Sequence, residues 1–324
     1  MPTTLTPVVL DRAEIAWAAG FFDGEGSTML HTDESRPGYL RLEVVVPQVG
    51  HDGPPAVLLR FQSAVGGLGR IGLPEPDDLY ECRFSMRLEA LAMVALLWND
   101  LGAIKRRQAN EAIKAFLSQY ESRTVEARGG RHASRVFEIV EASLSGPSDS
   151  HHLELAWAAG FLDAEGCFGL AKGNKRVRGT QWYRIRASAT QHGEPAVIPD
   201  VLHRLQRALG GIGRIERHGD DDDFKWLVEG GNDVQVVFDA VSPFLSAVKT
   251  AQAERALQAF RAQTRLKGSS THCVRGHEYS YTALRGGRVR RICNACARLV
   301  DRRERARKGI APRAFKNIAR RYTA

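Results

Sequence analysis

The sequence predicts an α+β protein in which one unit of helices and antiparallel strands occurs twice, followed by a small separate module. Three observations predict this architecture. The segment Glu14–Ser27 returns almost unchanged as Glu154–Cys167. Segments with alternating apolar residues follow both copies, and this alternation is typical of half-buried strands. Three cysteines and a histidine then lie close together in the last quarter of the chain, outside both copies.

The repeated segment is predicted to be a helix with a row of small residues. Residues 12–24 have helical apolar spacing, and Asp11 precedes them as a candidate N-cap. A glycine inside a helix costs about 1 kcal/mol relative to alanine, and close packing of two helices would offset that cost. We therefore expect the two copies to pack against each other and to form a pseudo-symmetric molecule. The small residues recur every fourth position and form one ridge on each helix: Ala16, Gly20 and Gly24, then Ala156, Gly160 and Ala164.

The apolar period changes to two after each helix. Apolar residues alternate over Gly38–Val46 and Trp182–Thr190, and again over Tyr80–Met86 and Phe224–Val228. A one-sided antiparallel sheet buries one set of side chains under helices. Its other face is then exposed, polar and basic.

The two copies keep their register well beyond the repeated helix. GGLGRI at Gly66–Ile71 matches GGIGRI at Gly210–Ile215 at an offset of 144 residues, and two-part helices follow at 88–120 and 234–266. The repeated unit is therefore roughly a hundred residues long. The predicted boundaries are 8–122 for the first repeat, 123–150 for a linker with a helical piece at Ala133–Ala142, 151–266 for the second repeat, 271–300 for the small module and 301–324 for a basic tail.

The composition indicates a globular protein that acts on a polyanion. Its 324 residues are 43% hydrophobic and 26% charged, and no apolar run is long enough to cross a bilayer. The N-terminal residues show no signal-peptide pattern, so we expect a cytoplasmic protein. The formal net charge is +9, and Ala297–Ala324 holds ten basic residues against two acidic ones. This excess indicates nucleic acid as a partner, and most of it lies in the tail.

Glu25 and Glu165 lie where the repeated helices end, 140 residues apart. A carboxylate at a helix C-terminus faces the negative end of the helix dipole, which costs about 0.3–1 kcal/mol. Pairing of the helices would bring two such ends together, so a cation between them makes physical sense. Hard oxygen ligands with open water positions favour Mg²⁺ over Zn²⁺. Such metals activate water and neutralise charge on phosphate oxygens.

The segments AAGFFDGEG and AAGFLDAEG resemble the two motif copies of a single-chain LAGLIDADG homing endonuclease. The resemblance extends over roughly residues 8 to 266, because the strands, the GGxGRI turn and the later helices follow in order. It implies two αββαββα repeats packed through their motif helices, with saddle-shaped antiparallel sheets. It also implies hydrolysis of one phosphodiester in each strand of a long, asymmetric DNA duplex, with one repeat for each strand.

The resemblance also assigns residues to roles. It implies that the last acid of each motif, Glu25 or Glu165, binds the catalytic divalent metal, where the family more often has aspartate. Gly24 and Ala164 complete the implied magnesium site. We interpret the earlier acids, Asp23 and Asp163, as support for the turn. The remaining catalytic positions are two glutamines that order solvent, Gln48 and Gln191, and two lysines that stabilise charge near the scissile phosphate, Lys105 and Lys249.

Arginines on the strands or at their starts are candidates for DNA contact. Any single one of them is equally consistent with a solvated or salt-bridged side chain. The candidates are Arg41, Arg70, Arg83, Arg184, Arg186 and Arg214.

The small module carries the spacing of a zinc site. Cys273 and His277 form one pair, and Cys293 and Cys296 form a second pair after fifteen residues. Four such ligands in two pairs are typical of a tetrahedral structural zinc site in a zinc ribbon or finger. The alternative is a set of unpaired thiols in a disordered tail. We expect the module and the basic tail to add phosphate contacts that depend on salt.

The sequence thus predicts a monomeric, intron-encoded or free-standing, site-specific DNA endonuclease that uses Mg²⁺ and carries a structural Zn²⁺. We expect it to associate with the nucleoid of a bacterial or phage-infected cell. Two alternatives remain open. One is an RNA maturase that binds intron RNA with the same fold, and the other is a DNA-binding regulator that does not cleave.

Overall fold

In a computed structural model, the chain divides into two compact units, Met1–Arg261 and Ala262–Ala324. The helical piece predicted at Ala133–Ala142 and the tail beyond residue 308 lie outside the described residues. Among the described residues, no helix is both long and apolar enough to span a bilayer. Structure is described for residues 10–32, 38–72, 78–119, 150–177, 180–195, 197–219, 222–268, 273, 275, 277–285 and 288–308.

The first unit contains two repeats with the same order of elements, as the sequence predicts. Each consists of a helix, two strands, a helix, two strands and a two-part final helix. The first repeat comprises α1 (Arg12–Glu25), β1 (Ser27–Thr32), β2 (Leu40–Val49), α2 (Ala56–Ala64), β3 (Arg70–Ile71), β4 (Leu79–Phe84), α3 (Arg87–Leu97) and α4 (Ala103–Ser118). The second comprises α5 (Ser150–Glu165), β5 (Gly166–Val177), β6 (Thr180–His192), α6 (Asp200–Ala208), β7 (Arg214–Arg217), β8 (Asp223–Glu229), α7 (Gly231–Val241) and α8 (Ala247–Gly268).

Each repeat forms a four-stranded antiparallel sheet, in the order β1-β2-β4-β3 and β5-β6-β8-β7. The predicted alternation identifies the buried faces correctly. The inward side chains of β2 and β6 are at most 1% exposed: Leu42, Val44 and Val46, then Ile185, Ala187 and Ala189. Arg41 and Arg184, which directly precede the first of these residues on each strand, are exposed. One face of each sheet is therefore available to a partner.

One residue of the predicted strands lies elsewhere. Met86 was expected to continue the alternation of Cys82 and Phe84, but β4 ends at Phe84. Met86 is instead the N-cap residue of α3, and its side chain is 43% exposed. The chain leaves the sheet at this point, so alternation with the strand no longer places a side chain on the buried face.

The GGxGRI turns require glycine for conformational reasons. Gly66, Gly67 and Gly69 have φ values of +74°, +72° and +76°, a region that side chains with a Cβ disfavour. The corresponding glycines of the second repeat also have positive φ. In the first repeat, the Gln62 side chain donates a hydrogen bond to the Gly69 carbonyl over 3.0 Å. This bond fixes the turn that leads into β3.

Helices α1 and α5 pack directly against each other, as the rows of small residues predict. A Cβ placed on Gly20 would lie 1.9 Å from the carbonyl oxygen of Trp157. A Cβ placed on Gly160 would lie 1.9 Å from the carbonyl oxygen of Trp17. Neither approach leaves room for a side chain, so glycine at these two positions brings the helix backbones into contact.

The paired helices lie inside a hydrophobic core to which both repeats contribute. Every residue from Ile15 to Asp23 of α1 is buried, and so is every residue from Ala156 to Asp163 of α5. A helix that is apolar on all sides is stable when it is enclosed in this way. Both ends of each helix are less buried, and the C-terminal residues Glu25 and Glu165 are partly exposed.

After the last residues of α8, the second unit contains a short hairpin followed by a helix. Strands β9 (Tyr281–Arg285) and β10 (Arg288–Ile292) pair in antiparallel fashion, and α9 spans Asn294–Arg307. The backbone N–H of Ser280 donates to the Ile292 carbonyl over 2.8 Å, which extends the contact at the base of the hairpin. Cys293 lies between β10 and α9, so the hairpin leads directly to a predicted metal ligand.

Candidate active site and metal centre

Each motif helix ends in a glutamate that is held by a glutamine from a neighbouring strand. The Gln48 side chain on β2 donates to Oε1 of Glu25 over 2.8 Å. The Gln191 side chain on β6 donates to Oε1 of Glu165 over 3.2 Å. Each amide therefore orients one carboxylate, and the sequence-predicted pairs come together in both repeats. Gln48 and Gln191 contact the acids directly, which the sequence alone does not establish.

The two predicted lysines lie beside the same helix ends. Lys105 on α4 donates from Nζ to the main-chain carbonyl of Gly26 over 2.5 Å. Lys249 on α8 donates to the carbonyl of Gly166 over 2.6 Å. Gly26 and Gly166 each follow a glutamate in the sequence. A glutamate, a glutamine and a lysine thus meet at the foot of each motif helix.

Burial and neighbouring charges perturb the titration of the two glutamates. Burial and, to a smaller extent, the nearby negative charge of Glu25 together raise the pKa of Glu165 to about 7, against the hydrogen bond from Gln191 and the charges of Lys105 and Lys249. Burial also raises the pKa of Glu25, although the hydrogen bond from Gln48 and the charges of Lys249 and Lys105 oppose it. Each glutamate therefore responds to lysines of both repeats, so the two centres share one electrostatic environment.

Burial and nearby charges also shift the pKa values of the two lysines, and the two motif ends approach each other at Gly24. Burial lowers the pKa of Lys105 and of Lys249, and the charges of Glu25 and Glu165 oppose that shift in both cases. A Cβ placed on Gly24 would lie 3.1 Å from Cγ of Glu165, so the two motif ends approach closely. Paired, partly buried carboxylates with raised pKa values fit a hard divalent cation, which would favour their ionised forms. The assignment of Gly24 and Ala164 to the magnesium site stays a prediction.

Asp23 does more than support a turn within its own repeat. Its carboxylate accepts the main-chain N–H of Gly102, over 2.9 Å to Oδ1 and 2.8 Å to Oδ2. It also accepts the indole N–H of Trp157, from the other repeat, over 2.8 Å. Gly102 is the N-cap residue of α4, the helix that carries Lys105. Asp23 therefore joins one motif helix to the lysine helix and to the opposite repeat.

Asp163 makes the equivalent connection in the second repeat. It accepts the N–H and the hydroxyl of Ser246 over 2.8 and 2.6 Å, and the indole N–H of Trp17 over 2.9 Å. Ser246 directly precedes α8, and its hydroxyl accepts the N–H of Lys249 over 3.3 Å. The interpretation of Asp23 and Asp163 as local turn supports was therefore incomplete, because their main partners are distant in sequence.

Two arginines outside the sequence-predicted site lie against the motif helices. Arg60 on α2 stacks over the Trp17 ring at 3.9 Å, and Arg204 on α6 stacks over the Trp157 ring at 4.0 Å. A signal for them existed in the sequence, since they are separated by 144 residues, the same offset as the GGxGRI turns and the lysines. Other residues that recur at an offset of 144 are candidates for equivalent roles in the two repeats.

The predicted DNA-contacting arginines lie on the exposed side of the sheets, and three of them form ion pairs there. Arg83 pairs with Glu81 and lies 3.9 Å from Glu43. In the second repeat, Glu229 bridges two arginines, Arg184 at 3.2 Å and Arg214 at 3.3 Å. The positions of these arginines are thus compatible both with contact to DNA and with surface salt bridges. Exposed positions are also occupied by Arg41 and Arg70, while Arg186 is partly buried.

In the second unit, the predicted zinc ligands come together. The ligand atoms of Cys273, His277, Cys293 and Cys296 all lie within 4.8 Å of one another. Cys273 Sγ lies 3.5 Å from Cys296 Sγ, and each of these atoms lies 3.5 Å from His277 Nδ1. Tetrahedral zinc with normal bond lengths separates such ligands by about 3.6–3.8 Å. The geometry therefore fits a tetrahedral metal site bound through Nδ1 of the histidine.

No family model matches the chain. A curated relative, the DNA endonuclease I-CvuI of Chlorella vulgaris, is 30% identical over 125 residues, which span 38% of this chain and 74% of the relative. This identity and coverage indicate common ancestry.

Solved structures match the fold over most of the chain. I-SmaMI, bound to an uncleaved DNA target with calcium ions, superposes with a TM-score of 0.56 at 16% identity, over 80% of this chain and 95% of that one. The LAGLIDADG meganuclease I-AabMI, bound to uncleaved DNA, gives 0.55 at 19% identity, over 80% and 92%. The LAGLIDADG homing endonuclease I-LtrWI, bound to target DNA, gives 0.55 at 15% identity, over 82% and 95%.

Proposed function

The chain belongs to the LAGLIDADG family of homing endonucleases, and from that membership we propose a specific reaction for it. It is a DNA endonuclease that recognises a long, asymmetric site and hydrolyses both strands with the help of Mg²⁺. Each repeat serves one strand. A single chain carries both motifs, so the active form is a monomer in this proposal.

The observation that carries the proposal is the duplicated set of glutamate, glutamine and lysine. Cutting both strands of a duplex requires two phosphodiester hydrolyses on backbones of opposite direction. A pseudo-twofold pair of centres at the ends of α1 and α5 matches this requirement. The shared electrostatic environment supports the proposal further, since both glutamates interact with both lysines.

The side chains have distinct roles in the proposed reaction. Gln48 and Gln191 hold the carboxylates in one orientation through the hydrogen bonds described above. Lys105 and Lys249 place positive charge beside the helix ends, where charge would develop on the scissile phosphates. A divalent cation held by Glu25 and Glu165 would supply activated water and charge neutralisation.

The exposed faces of the two sheets are the proposed DNA-binding surface. The two faces differ, because Glu43 and Glu81 surround one arginine in the first repeat while Glu229 joins two arginines in the second. Different side chains on otherwise matching sheets support the recognition of different half-sites. Base edges in the major groove are read by such arginine and glutamate side chains.

The second unit is proposed to bind one structural Zn²⁺ and to add affinity for phosphates. The four clustered ligands support the metal assignment. Helix α9 begins at Asn294, directly after the ligand Cys293, so a bound zinc ion would stabilise the start of this helix. The helix sequence contains five arginines, which favour contacts that weaken with salt.

A cleavage selection tests the proposed reaction. The purified full chain is incubated with a randomised duplex library and Mg²⁺, and the cleaved ends are sequenced. We expect one asymmetric site with cuts in both strands. On that site, Glu25→Gln and Glu165→Gln should each lower the rate of double-strand cleavage by at least about 100-fold, because each removes a charged metal ligand.

The matched control is Glu111→Gln, since Glu111 is an exposed glutamate on α4. This variant should cut at the rate of the unmodified protein. Circular dichroism should show that all three variants are folded. Cleavage by Glu25→Gln at the unmodified rate would contradict the assignment, and binding of a site without any cleavage would favour the non-cleaving regulator.

A further inference from the structure

Arg60 and Arg204 occupy equivalent places and are fixed by groups of their own repeats. Arg60 binds Glu14 through two nitrogens, at 2.9 Å from Nε and 2.7 Å from NH2. Arg204 binds Glu154 in the same way, at 3.0 and 2.7 Å. Stacking on a tryptophan ring completes each arrangement, so two sides of each guanidinium are held.

The third nitrogen of each guanidinium crosses to the other repeat. NH1 of Arg60 donates to the Phe244 carbonyl over 2.7 Å, and NH1 of Arg204 donates to the Asp100 carbonyl over 2.5 Å. Phe244 lies in the turn between α7 and α8, and Asp100 lies in the turn between α3 and α4. Each arginine therefore binds the turn that precedes a lysine helix of the opposite repeat.

The same nitrogen also lies near the aspartate that binds the start of that helix. Arg60 NH1 is 3.9 Å from Asp163, which accepts both hydrogen bonds from Ser246. Arg204 NH1 is 3.9 Å from Asp23, which accepts the N–H of Gly102. Each guanidinium thus contacts the main-chain carbonyl of the turn and lies near the carboxylate that binds the N-terminus of the lysine helix.

Each lysine lies within one helical turn of the residue that the aspartate binds. Lys249 lies three residues after Ser246, and Lys105 lies three residues after Gly102. Three residues of α-helix rise by about 4.5 Å, so a displaced helix start moves the lysine with it. A misplacement of about 1 Å can cost about 100-fold in rate.

We propose that Arg60 positions Lys249 and that Arg204 positions Lys105, so that each repeat sets the lysine of the opposite active centre. This inference rests on the proposed function, because it assumes that the lysines act in cleavage. Neither arginine touches the DNA or the reacting atoms in this proposal. Each acts through a turn and a helix start of the other repeat.

Strand-specific kinetics test the inference. The target duplex carries a different fluorophore on each strand, and single-turnover cleavage is followed for both strands at saturating protein. Lys249→Met and Lys105→Met identify the strand that each lysine serves. We expect Arg60→Gln to slow the strand marked by Lys249→Met by about 10–100-fold and to leave the other within about threefold. Arg204→Gln should slow the opposite strand.

Two further variants separate positioning from general destabilisation. Leu58 lies on the same helix as Arg60 and is fully buried, so Leu58→Ala should weaken the fold without favouring either strand. Glu14→Gln keeps Arg60 but weakens its anchor, and it should give a smaller bias in the same direction as Arg60→Gln. Affinity for the target, measured without divalent metal, should be unchanged in Arg60→Gln.

The outcomes distinguish this inference from the proposed function. Slowing of the strand marked by Lys105→Met, equal slowing of both strands, or no slowing in Arg60→Gln would overturn the positioning role. In each of these cases the unmodified protein still cuts DNA, so the proposed function stands. A protein that cuts neither strand would overturn the proposed function itself.

Discussion

The indole N–H of Trp157 donates to the carboxylate of Asp23 over 2.8 Å, so a residue of the second repeat satisfies a buried acid of the first. Trp17 and Asp163 repeat this contact in the opposite direction at 2.9 Å. The two repeats are therefore joined by reciprocal polar contacts as well as by close backbone packing. A buried carboxylate between the repeats makes the stability of this junction depend on pH.

Replacement of Asp23 should remove part of that pH dependence. Burial raises the pKa of Asp23 from 3.8 to about 6, against hydrogen bonds from Gly102 and Trp157. Between these values the folded state holds a proton that the unfolded state has lost. The contribution of Asp23 to stability is thus fully present below pH 3.8 and is lost as the pH rises through 6, by about 3 kcal/mol in total.

Urea unfolding at several pH values would measure this contribution. The free energy of unfolding of the unmodified protein, minus that of Asp23→Asn, should fall between pH 4 and 7. A constant offset between the two proteins is expected from the altered hydrogen bonds and does not affect the slope. A difference that stays flat or rises over this range would contradict the raised pKa.

Cleavage should have its own pH dependence, in the opposite direction. Burial and the charge of Glu25 raise the pKa of Glu165 to about 7, and only the ionised carboxylate binds a divalent cation well. At limiting Mg²⁺ the cleavage rate should therefore rise through about pH 7. Because metal competes with the proton, a higher Mg²⁺ concentration should move the midpoint to lower pH. A midpoint near 4.5 that ignores Mg²⁺ would contradict this prediction.

Gly20→Ala should severely weaken the junction of the motif helices. The new Cβ would lie 1.9 Å from the carbonyl oxygen of Trp157, and backbone cannot move aside as a side-chain end can. We expect a loss of at least about 3 kcal/mol in the free energy of unfolding. Gly72→Ala is the control, because no atom of the described residues lies within 4 Å of its Cβ position. Equal stability of the two variants in thermal unfolding would argue against close packing.

The contact of the motif helices and the sets at their ends are predictable from the sequence because they repeat. Gly20 and Gly160 violate helix propensity at the same place, and the physical reason for such a cost is a close neighbour. Glu25 and Glu165 stand at equivalent helix ends, where an isolated carboxylate is unfavourable. The duplicated chain thus supplies its own comparison.

The cross-repeat contacts were not predictable in the same way. Local patterns identify Asp23 as an acid near a helix end, but its partner Trp157 is 134 residues away. Arg60 has the appearance of a surface residue on a short helix until its stacking and its bond to Phe244 are known. The orientation of two repeats is set by packing across the junction, which sequence periodicity does not encode.

Zinc should bind to the second unit in a ratio of one per chain. Substitution of single cysteines should show that the clustered cysteines bind it and that a cysteine outside the cluster does not. Cys293→Ser removes one of four clustered ligands, so metal analysis of the purified variant should show loss of zinc. Cys167→Ser is the matched control, since Cys167 is a free, exposed cysteine outside the cluster, and it should retain one zinc ion. Because the ligands bracket the hairpin and the start of α9, loss of zinc should also increase amide exchange there. Full zinc content in Cys293→Ser, or none in the unmodified protein, would mean that the four side chains are not a zinc site.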